Sequence, residues 1–451
     1  MIKLEVKTKT LLADTLTPVS LYMRIRDEYP KSILLESNDY QAKENSISFI
    51  CFDPLATFKL EDEKICQDFP DGTKSEAEAK DVHIHLEEFF NSFDLRGDQE
   101  SKKLNGLFGY MTYDAVRYFE NIEIQKAVSE TKIPEIQYSL FRYIIAINHF
   151  TNQLTLIENV PENNLSQFEK IEILIKKRTH SEFYFQTTGS TKSSITDNEF
   201  MELVEKGRHH CKIGDTFQVV FSRRFSQTFQ GDEFNVYRSL RSINPSPYLF
   251  YFDYGNFRLL GSSPESQLVI KNNKASIIPI AGTVKRSGND EEDQKRAYEL
   301  ANDEKENAEH IMLVDLARND LGRFASKIQV EKYKEIQFYS HVLHMVSSVS
   351  GIIPKGSNRM KMLGTSYPAG TLSGAPKIKA MELINRYESV NRSFYGGCIG
   401  QISFNGDINH AIIIRSILSK GNSLFYQAGA GILVKSDKKK ELEEVYHKVG
   451  A

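Results

Sequence analysis

Two stretches with helical spacing carry carboxylates that could serve a metal. In "NDEKENAEHIMLVDLARNDLGR" (302–323), Glu309 is followed at i+3, i+4 and i+7 by Met312, Leu313 and Leu316, which puts it on an apolar stripe facing a core. An ionised carboxylate there is costly unless a cation or a basic side chain pairs with it. Glu306 has a structural use, because Asp303 and Glu306 fit a capping box. In "KKKELEEVYHKVGA" (438–451), Glu441 and Glu444 share one helix face, and Glu444 can pair with Lys448 at i+4. A hard divalent cation such as Mg²⁺ takes oxygen ligands and often uses only one or two protein carboxylates, with water and substrate oxygens completing its shell. Two glutamates from separate helices suit that pattern; an ordinary solvated face suits the same spacing.

Three glycine-containing segments could offer backbone N–H groups to an anion: Gly282-Thr283 in "IIPIAGTVKR", "YPAGTLSGAPK" (367–377) and "QAGAG" (427–431). The second places Ser373, Gly374 and Pro376 at a helix start, whose exposed N–H groups favour a carboxylate or phosphate. It lacks the G-K-[ST] ending of a phosphate loop, which argues against a nucleoside triphosphate. Arg415 lies in the apolar run "AIIIRS", where a guanidinium needs an anionic partner and matches a carboxylate with two parallel hydrogen bonds. A small polyanion beside a metal is the chemistry these residues share.

The chain that must position them has 451 residues, 40% of them hydrophobic and 26% charged, with a net charge of -3. That is room for one large or two ordinary domains, with no electrostatic reason to expect nucleic acid or an anionic membrane as partner. Four scattered cysteines form no C-x-x-C pair. No signal-peptide or membrane-span pattern is present, so the cytoplasm is the expected location. Strand-like runs dominate the first 160 residues, with a surface excursion at the acidic stretch 60–80 and a helix with apolar positions at Leu165, Phe168, Ile171 and Leu174. "TTGSTKSSITDNE" reads as a linker that ends in a capping box at Thr196 and Glu199. Strands then alternate with helices over 292–301, 304–318, 375–388 and 437–448, and many strands follow one another directly. The class is therefore α+β with antiparallel pairing.

Taken together, "GLFGYMTYDAVRYFE", "GDTFQVVFSRRF", "LLGSSPE", "PIAGT", "AEHIMLVDLARNDLGR", "YPAGTLSGAPKIKAMELI", "AIIIRS" and "QAGAGILVKSD" resemble the chorismate-using enzymes, and within them the anthranilate synthase component I family. The resemblance implies a two-lobed antiparallel β-sandwich flanked by helices. It divides the chain into an N-terminal region, 1–160, and a chorismate-binding catalytic region, 195–451, sharing one intertwined core. It also assigns roles. Glu309 and Glu444 would hold Mg²⁺, with Glu306 and Glu441 supporting them. Gly282, Thr283, Tyr395, Arg415, Gly429, Ala430 and Gly431 would bind chorismate. Glu265 would be the general acid that protonates the departing hydroxyl, with His344 and Thr371 lining the reacting ring. Ser37, Pro245, Ser246 and Pro247, in "LLES" and "NPSPY", would hold L-tryptophan as feedback inhibitor.

The same resemblance explains why position 281 is alanine. Relatives that add water carry a lysine base where this chain has Gln218, and those that aminate at C4 carry a nucleophilic lysine where it has Ala281. Ammonia brings its own lone pair and needs neither. No cysteine here has the setting of a glutaminase nucleophile, so ammonia would come from a separate glutamine amidotransferase subunit. Two other readings stand beside this one: aminodeoxychorismate synthase component I, and a tryptophan-binding sensor without turnover.

Overall fold

The stretch "ISFICFDPLATFKLE", a buried run followed by an apolar–polar alternation, becomes one long strand, Ile47–Glu61. It pairs antiparallel with Ile136–Asn148 along nearly its whole length, with a register shift between Pro54 and Ala56. Proline has no N–H for a ladder, so an interior strand tolerates it at such an irregularity, where the strand bends. Before the bend the sheet continues through Ile33–Ser37, Tyr248–Asp253, Phe257–Ser263, Ser416–Lys420, Ser423–Ile432 and Gln218–Gly231. After it, Ile136–Asn148 leads through Gly106–Met111, Cys398–Ser403, Ile408–Ile412 and Ser266–Lys271 to Lys274–Ile277 and Val342–Ile352. Every strand pair among the described residues is antiparallel except Ile2–Leu12 with Phe93–Arg96. This computed structural model describes residues 1–37, 46–124, 130–177, 179–339 and 342–450, without the side chains of Thr283 and Lys305.

The buried clusters draw on both ends of the chain. Leu107 and Tyr138 pack with Phe221 and Ile402, Phe49 and Phe108 with Phe250 and Ile412, and Tyr22 and Phe52 with Phe234 and Leu249. Among the described residues no helix is long and apolar enough to cross a membrane.

Three local expectations change. Most of the Ser/Thr-rich stretch read as a linker belongs to an edge strand, Phe185–Ser193, laid against Gln218–Gly231. Its threonines are β-branched and favour extended backbone, and Gln227 Nε2 donates to Thr188 O at 2.6 Å. The capping box after it does form: Glu199 N donates to Thr196 Oγ1 at 3.3 Å, and Thr196 N to Glu199 Oε2 at 2.7 Å. The helix expected from Leu165 starts at Phe168, leaving Leu165 exposed, while Ile171, Leu174 and Ile175 are buried. The acidic excursion contains two short strands, Lys64–Asp68, which buries Ile65 in the core, and the mostly exposed Lys74–Glu78.

A buried ion pair braces the two sides of the molecule. Arg392 is 1% exposed, pairs with Glu388 at 2.7 Å, and donates to Leu372 O at 2.6 Å and Val220 O at 2.7 Å. Removing one partner of a buried pair strands the other charge, so Glu388→Ala is expected to cost about 3–5 kcal/mol. Urea unfolding at neutral pH reads that loss as a lower midpoint.

Candidate active site

The pairing of Gln218–Gly231 with Ser423–Ile432 sets Val220 opposite Gly431 and Ser222 opposite Gly429. Strand side chains alternate between faces, so Gln218 and Val220 share one face with Gln427, Gly429 and Gly431, and these line a cavity of about 560 Å³. Ala430 points the other way, into the core, and does not line the cavity. "QAGAG" is thus strand rather than turn. Its glycines make room: a Cβ on Gly431 would stand 2.4 Å from Gln218 Nε2.

The strand Ile280–Lys285, paired with Val342–Ile352, supplies Ala281, Gly282 and His344. Its register shifts between Ala281 and Thr283, and Gly282 has φ of 72°. Beside this bulge three consecutive residues, Ile280, Ala281 and Gly282, line the cavity. Of Thr283, only the backbone is described. Pro264 and Glu265 enter just before the strand Ser266–Lys271, and Thr371 comes from the short helix Gly370–Ser373. Ser373 and Gly374 do not contribute an anion site. Ser373 Oγ donates to Ala369 O at 2.9 Å, and Gly374 pairs with Val219 in the sheet.

Helices Glu304–Gly322 and Lys438–Gly450 bring Glu306, Glu309, Glu441 and Glu444 to this one cavity. Glu309 is half-buried, and the helix buries His310, Leu313, Val314, Ala317 and Leu321. The core stripe is therefore rotated about one residue from the one expected, because Glu309 faces the cavity instead. Asp303 caps this helix by accepting from Glu306 N at 2.9 Å, which leaves the Glu306 side chain against Gly282. The three lysines at the start of the last helix are offset by Asp437, whose Oδ1 accepts from Lys439 N and Lys440 N, both at 3.0 Å.

Glu309 Oε1 accepts from Gln218 Nε2 at 3.3 Å, and Glu444 Oε1 pairs with Lys448 Nζ at 2.6 Å. No group of three or more His, Cys, Asp or Glu among the described residues could enclose a metal. The donor set fits a hard divalent cation held by a few carboxylate oxygens and finished by water and substrate. It does not fit a zinc cage.

Glu265 is 9% exposed and accepts from Thr371 Oγ1 at 3.2 and 3.3 Å. Burial pushes its carboxyl up to about 8, against the opposing pull of the Thr371 hydrogen bond and the charges of Arg415 and Lys448. Burial and the Arg415 charge push the His344 ring down to about 4, opposed by a hydrogen bond with the Gly282 backbone. Tyr339 packs edge-on to that ring at 5.3 Å. At neutral pH the cavity thus holds a protonated acid and a neutral imidazole. Arg415 lies between two strands rather than within one, with φ of 47°, and its Nη1 donates to Asn244 Oδ1 at 3.3 Å. Tyr395 is buried below, its ring 5.7 Å from the Arg392 guanidinium and its hydroxyl meeting the Gly429 backbone.

Sequence reasoning passed over Lys448 and Gln427. Lys448 Nζ also donates to Gly429 O at 2.9 Å, and the i+4 spacing from Glu444 signalled only a surface pair. Gln427 was legible only once strand alternation put it beside Gly429.

The proposed tryptophan residues come side by side elsewhere. Ser37 pairs with Tyr248, directly after Pro245, Ser246 and Pro247. Ser46 Oγ donates to Ser37 O at 3.1 Å, and Ser246 is buried.

The raised carboxyl of Glu265 has a stability consequence. Its folded pKa lies above the ordinary value of 4.5, so the folded state binds the extra proton between pH 4.5 and about 8, and stability falls as pH rises through that window. Glu265→Gln is expected to match the wild type in unfolding free energy at the acid end and to exceed it above pH 8 by on the order of a few kcal/mol, read from urea unfolding.

Residues 31–451 match the family described as chorismate binding enzyme. The chain is 35% identical to anthranilate synthase component 1 of Aquifex aeolicus (strain VF5), over 98% of this chain and 92% of that protein. It is 33% identical to the protein of the same name from Bacillus subtilis (strain 168), over 98% and 90%. The crystal structure of anthranilate synthase component I from Streptococcus pneumoniae TIGR4 superposes with a TM-score of 0.76 at 30% identity, covering 98% of both chains. The Escherichia coli isochorismate synthase MenF shares the fold, with a TM-score of 0.75 at 18% identity over 100% of this chain and 94% of that one. Matched over nearly its whole length, this chain belongs to the chorismate-binding enzyme family.

Proposed function

We infer that this chain is the synthase component of an anthranilate synthase, converting chorismate and ammonia to anthranilate and pyruvate in the cytoplasm. One observation carries the reading: a buried carboxyl, Glu265, on the wall of a cavity that also presents Arg415 and four further glutamates, where burial raises its pKa. Arg415 and the backbone at Gly429 and Gly431 hold the enolpyruvyl carboxylate. Glu309 and Glu444 hold Mg²⁺, with Glu306 and Glu441 beside them. When bound, that cation neutralises the ring carboxylate and draws electron density from the ring.

Ammonia adds at C2, the ring double bonds shift, and the C4–O bond breaks. Glu265 gives its O–H proton to the leaving oxygen, which departs as water. The neutral His344 ring takes the C2 proton as the enolpyruvyl C–O bond breaks, pyruvate leaves and the ring becomes aromatic. Ala281 and Gln218 offer neither a nucleophile nor a base that would divert this course. Lys448, the amine that does line the cavity, is tied to Glu444 and Gly429 O.

Cys51, Cys211 and Cys398 are buried and Cys66 is half-buried, none in a glycine-rich nucleophile turn, so ammonia comes from a glutamine amidotransferase partner. L-tryptophan binds at Ser37, Pro245, Ser246 and Pro247 and inhibits.

The purified chain with ammonium, chorismate and Mg²⁺ is expected to give fluorescent anthranilate, suppressed by tryptophan. Chorismate consumed without anthranilate would move nitrogen to C4, and no consumption would leave a sensor. Glu309→Ala is expected to abolish Mg²⁺-dependent turnover and leave tryptophan binding unchanged. The chain contains no tryptophan, so emission from the bound ligand reports that binding directly. Full turnover by the variant would remove Glu309 from the metal site.

A further inference from the structure

A second, smaller space lies behind Glu265. It measures about 30 Å³, enough to admit water, and Ser266, Gln267, Asp320 and Ala317 help to bound it. Glu265 and Thr371 line both this space and the large cavity, so they form part of the partition between the two.

The lining of the rear space is mainly apolar, from Ile277, Pro279, Leu313 and Leu316, and the polar groups of Ser266, Gln267 and Asp320 break it. Ser266 is 6% exposed and Gln267 2%, and neither Ser266 Oγ nor Gln267 Oε1 has a hydrogen-bond partner among the described residues. Buried polar atoms left in that state are costly, and a bound water removes the cost for the atom it meets. Beyond them stands an ion pair, Lys377 Nζ to Asp320 at 2.8 Å, with both side chains at most 8% exposed. Gln267 Nε2 at 3.0 Å and Lys377 Nζ at 3.1 Å donate to the same carbonyl, Ser366 O. Arg323 follows, 38% exposed, pairing with Glu120 and donating to Thr365 O at 3.1 Å. Polar groups therefore run from Glu265 through the rear space toward the surface.

We propose that one water in this rear space passes protons from the Asp320–Lys377 pair to Glu265, restoring the acid from behind within each turnover, before the ring leaves the front cavity. The inference rests on Glu265 acting as the general acid. In front, the Glu265 O–H bond breaks, its proton joins the leaving hydroxyl oxygen as the C–O bond breaks, and water departs, leaving a carboxylate. Behind, the rear water gives a proton to that carboxylate and takes one from the Lys377 ammonium by way of an Asp320 oxygen. Lys377 regains its proton from solvent. The balancing proton is the one shed to solvent by the ammonium group formed when ammonia adds to the ring. No other reactant is required, and the bound ring covers the front of Glu265 throughout.

The test fills or strips the rear space without touching the front. Ser266→Val replaces the hydroxyl with two methyl groups that occupy the space, and Ser266→Ala removes the hydroxyl but leaves the room. Each is mixed rapidly with chorismate, Mg²⁺ and ammonium from a pH below the raised pKa of Glu265, so that the first turnover starts with the acid loaded. For Ser266→Val, the first turnover is expected within about twofold of wild type, while the steady-state rate falls about tenfold or more at unchanged KM. Ser266→Ala is expected to fall less and to show a larger solvent deuterium isotope effect in the steady state. A packing defect would slow the first turnover equally, and that result overturns the relay, as does a wild-type steady-state rate in both variants. Should Ser266→Val fail to fold, the isotope effect in Ser266→Ala decides alone. Glu265→Gln separates the two layers: full activity there removes the acid and the relay together, whereas an inactive Glu265→Gln beside an unimpaired Ser266→Val removes the relay only.

Discussion

Keeping a carboxyl protonated at neutral pH is the constraint that organises this site. Water stabilises the ionised form, so the protein has to take Glu265 out of water while leaving it in reach of whatever occupies the cavity. The fold manages both by placing it just ahead of a strand, Ser266–Lys271, with its backbone fixed by Ile412 N donating to Glu265 O at 3.0 Å. Too strong a set of donors would defeat the purpose, because a carboxylate that accepts several hydrogen bonds ionises readily. The Thr371 hydroxyl and the charges of Arg415 and Lys448 pull toward ionisation, yet burial outweighs them.

Register does the rest of the positioning. A one-residue slip between Gln218–Gly231 and Ser423–Ile432 would turn Gly429 and Gly431 into the core and Ala430 into the cavity. Gly431 leaves too little room for a Cβ beside Gln218, and it is Gln218 that touches Glu309 across the cavity. A backbone feature is thus transmitted to one of the carboxylates at the rim. The buried Arg392 fixes the floor from below, tying Leu372 and Val220 through their carbonyls, so that walls from distant parts of the sequence hold one spacing.

Much of this could be read beforehand, and the parts that could not share a cause. Helix periodicity, capping residues and the apolar strands are local signals, and they placed the two glutamate-bearing helices and most of the strands. The edge strand Phe185–Ser193 escaped because it buries little, so composition resembled a linker while β-branched threonines and a pairing partner decided otherwise. Glu309 was placed on the wrong stripe because periodicity reports which residues share a face, not whether that face meets a core or a cavity. Gln427, and the contact of Lys448 with the Gly429 carbonyl, were invisible for the same reason, since each depends on a neighbour from another element, whereas the Glu444–Lys448 pair was legible from its spacing. The raised acid at Glu265 had no sequence signal of its own beyond the family motif, because burial is a property of the fold.

The bulge at Gly282 gives position 281 its meaning. The register shifts between Ala281 and Thr283, and the run Ile280, Ala281 and Gly282 lines the cavity there. A long basic side chain at 281 would therefore enter the same space as the substrate ring, next to a neutral His344 and a protonated Glu265. Such an amine would add a cation or a nucleophile where the wall now offers a methyl group. With alanine there and glutamine at 218 engaged with Glu309, the wall supplies shape but no competing lone pair. On the proposed reaction, an incoming ammonia would meet the ring with the acid loaded and no competing group on the wall.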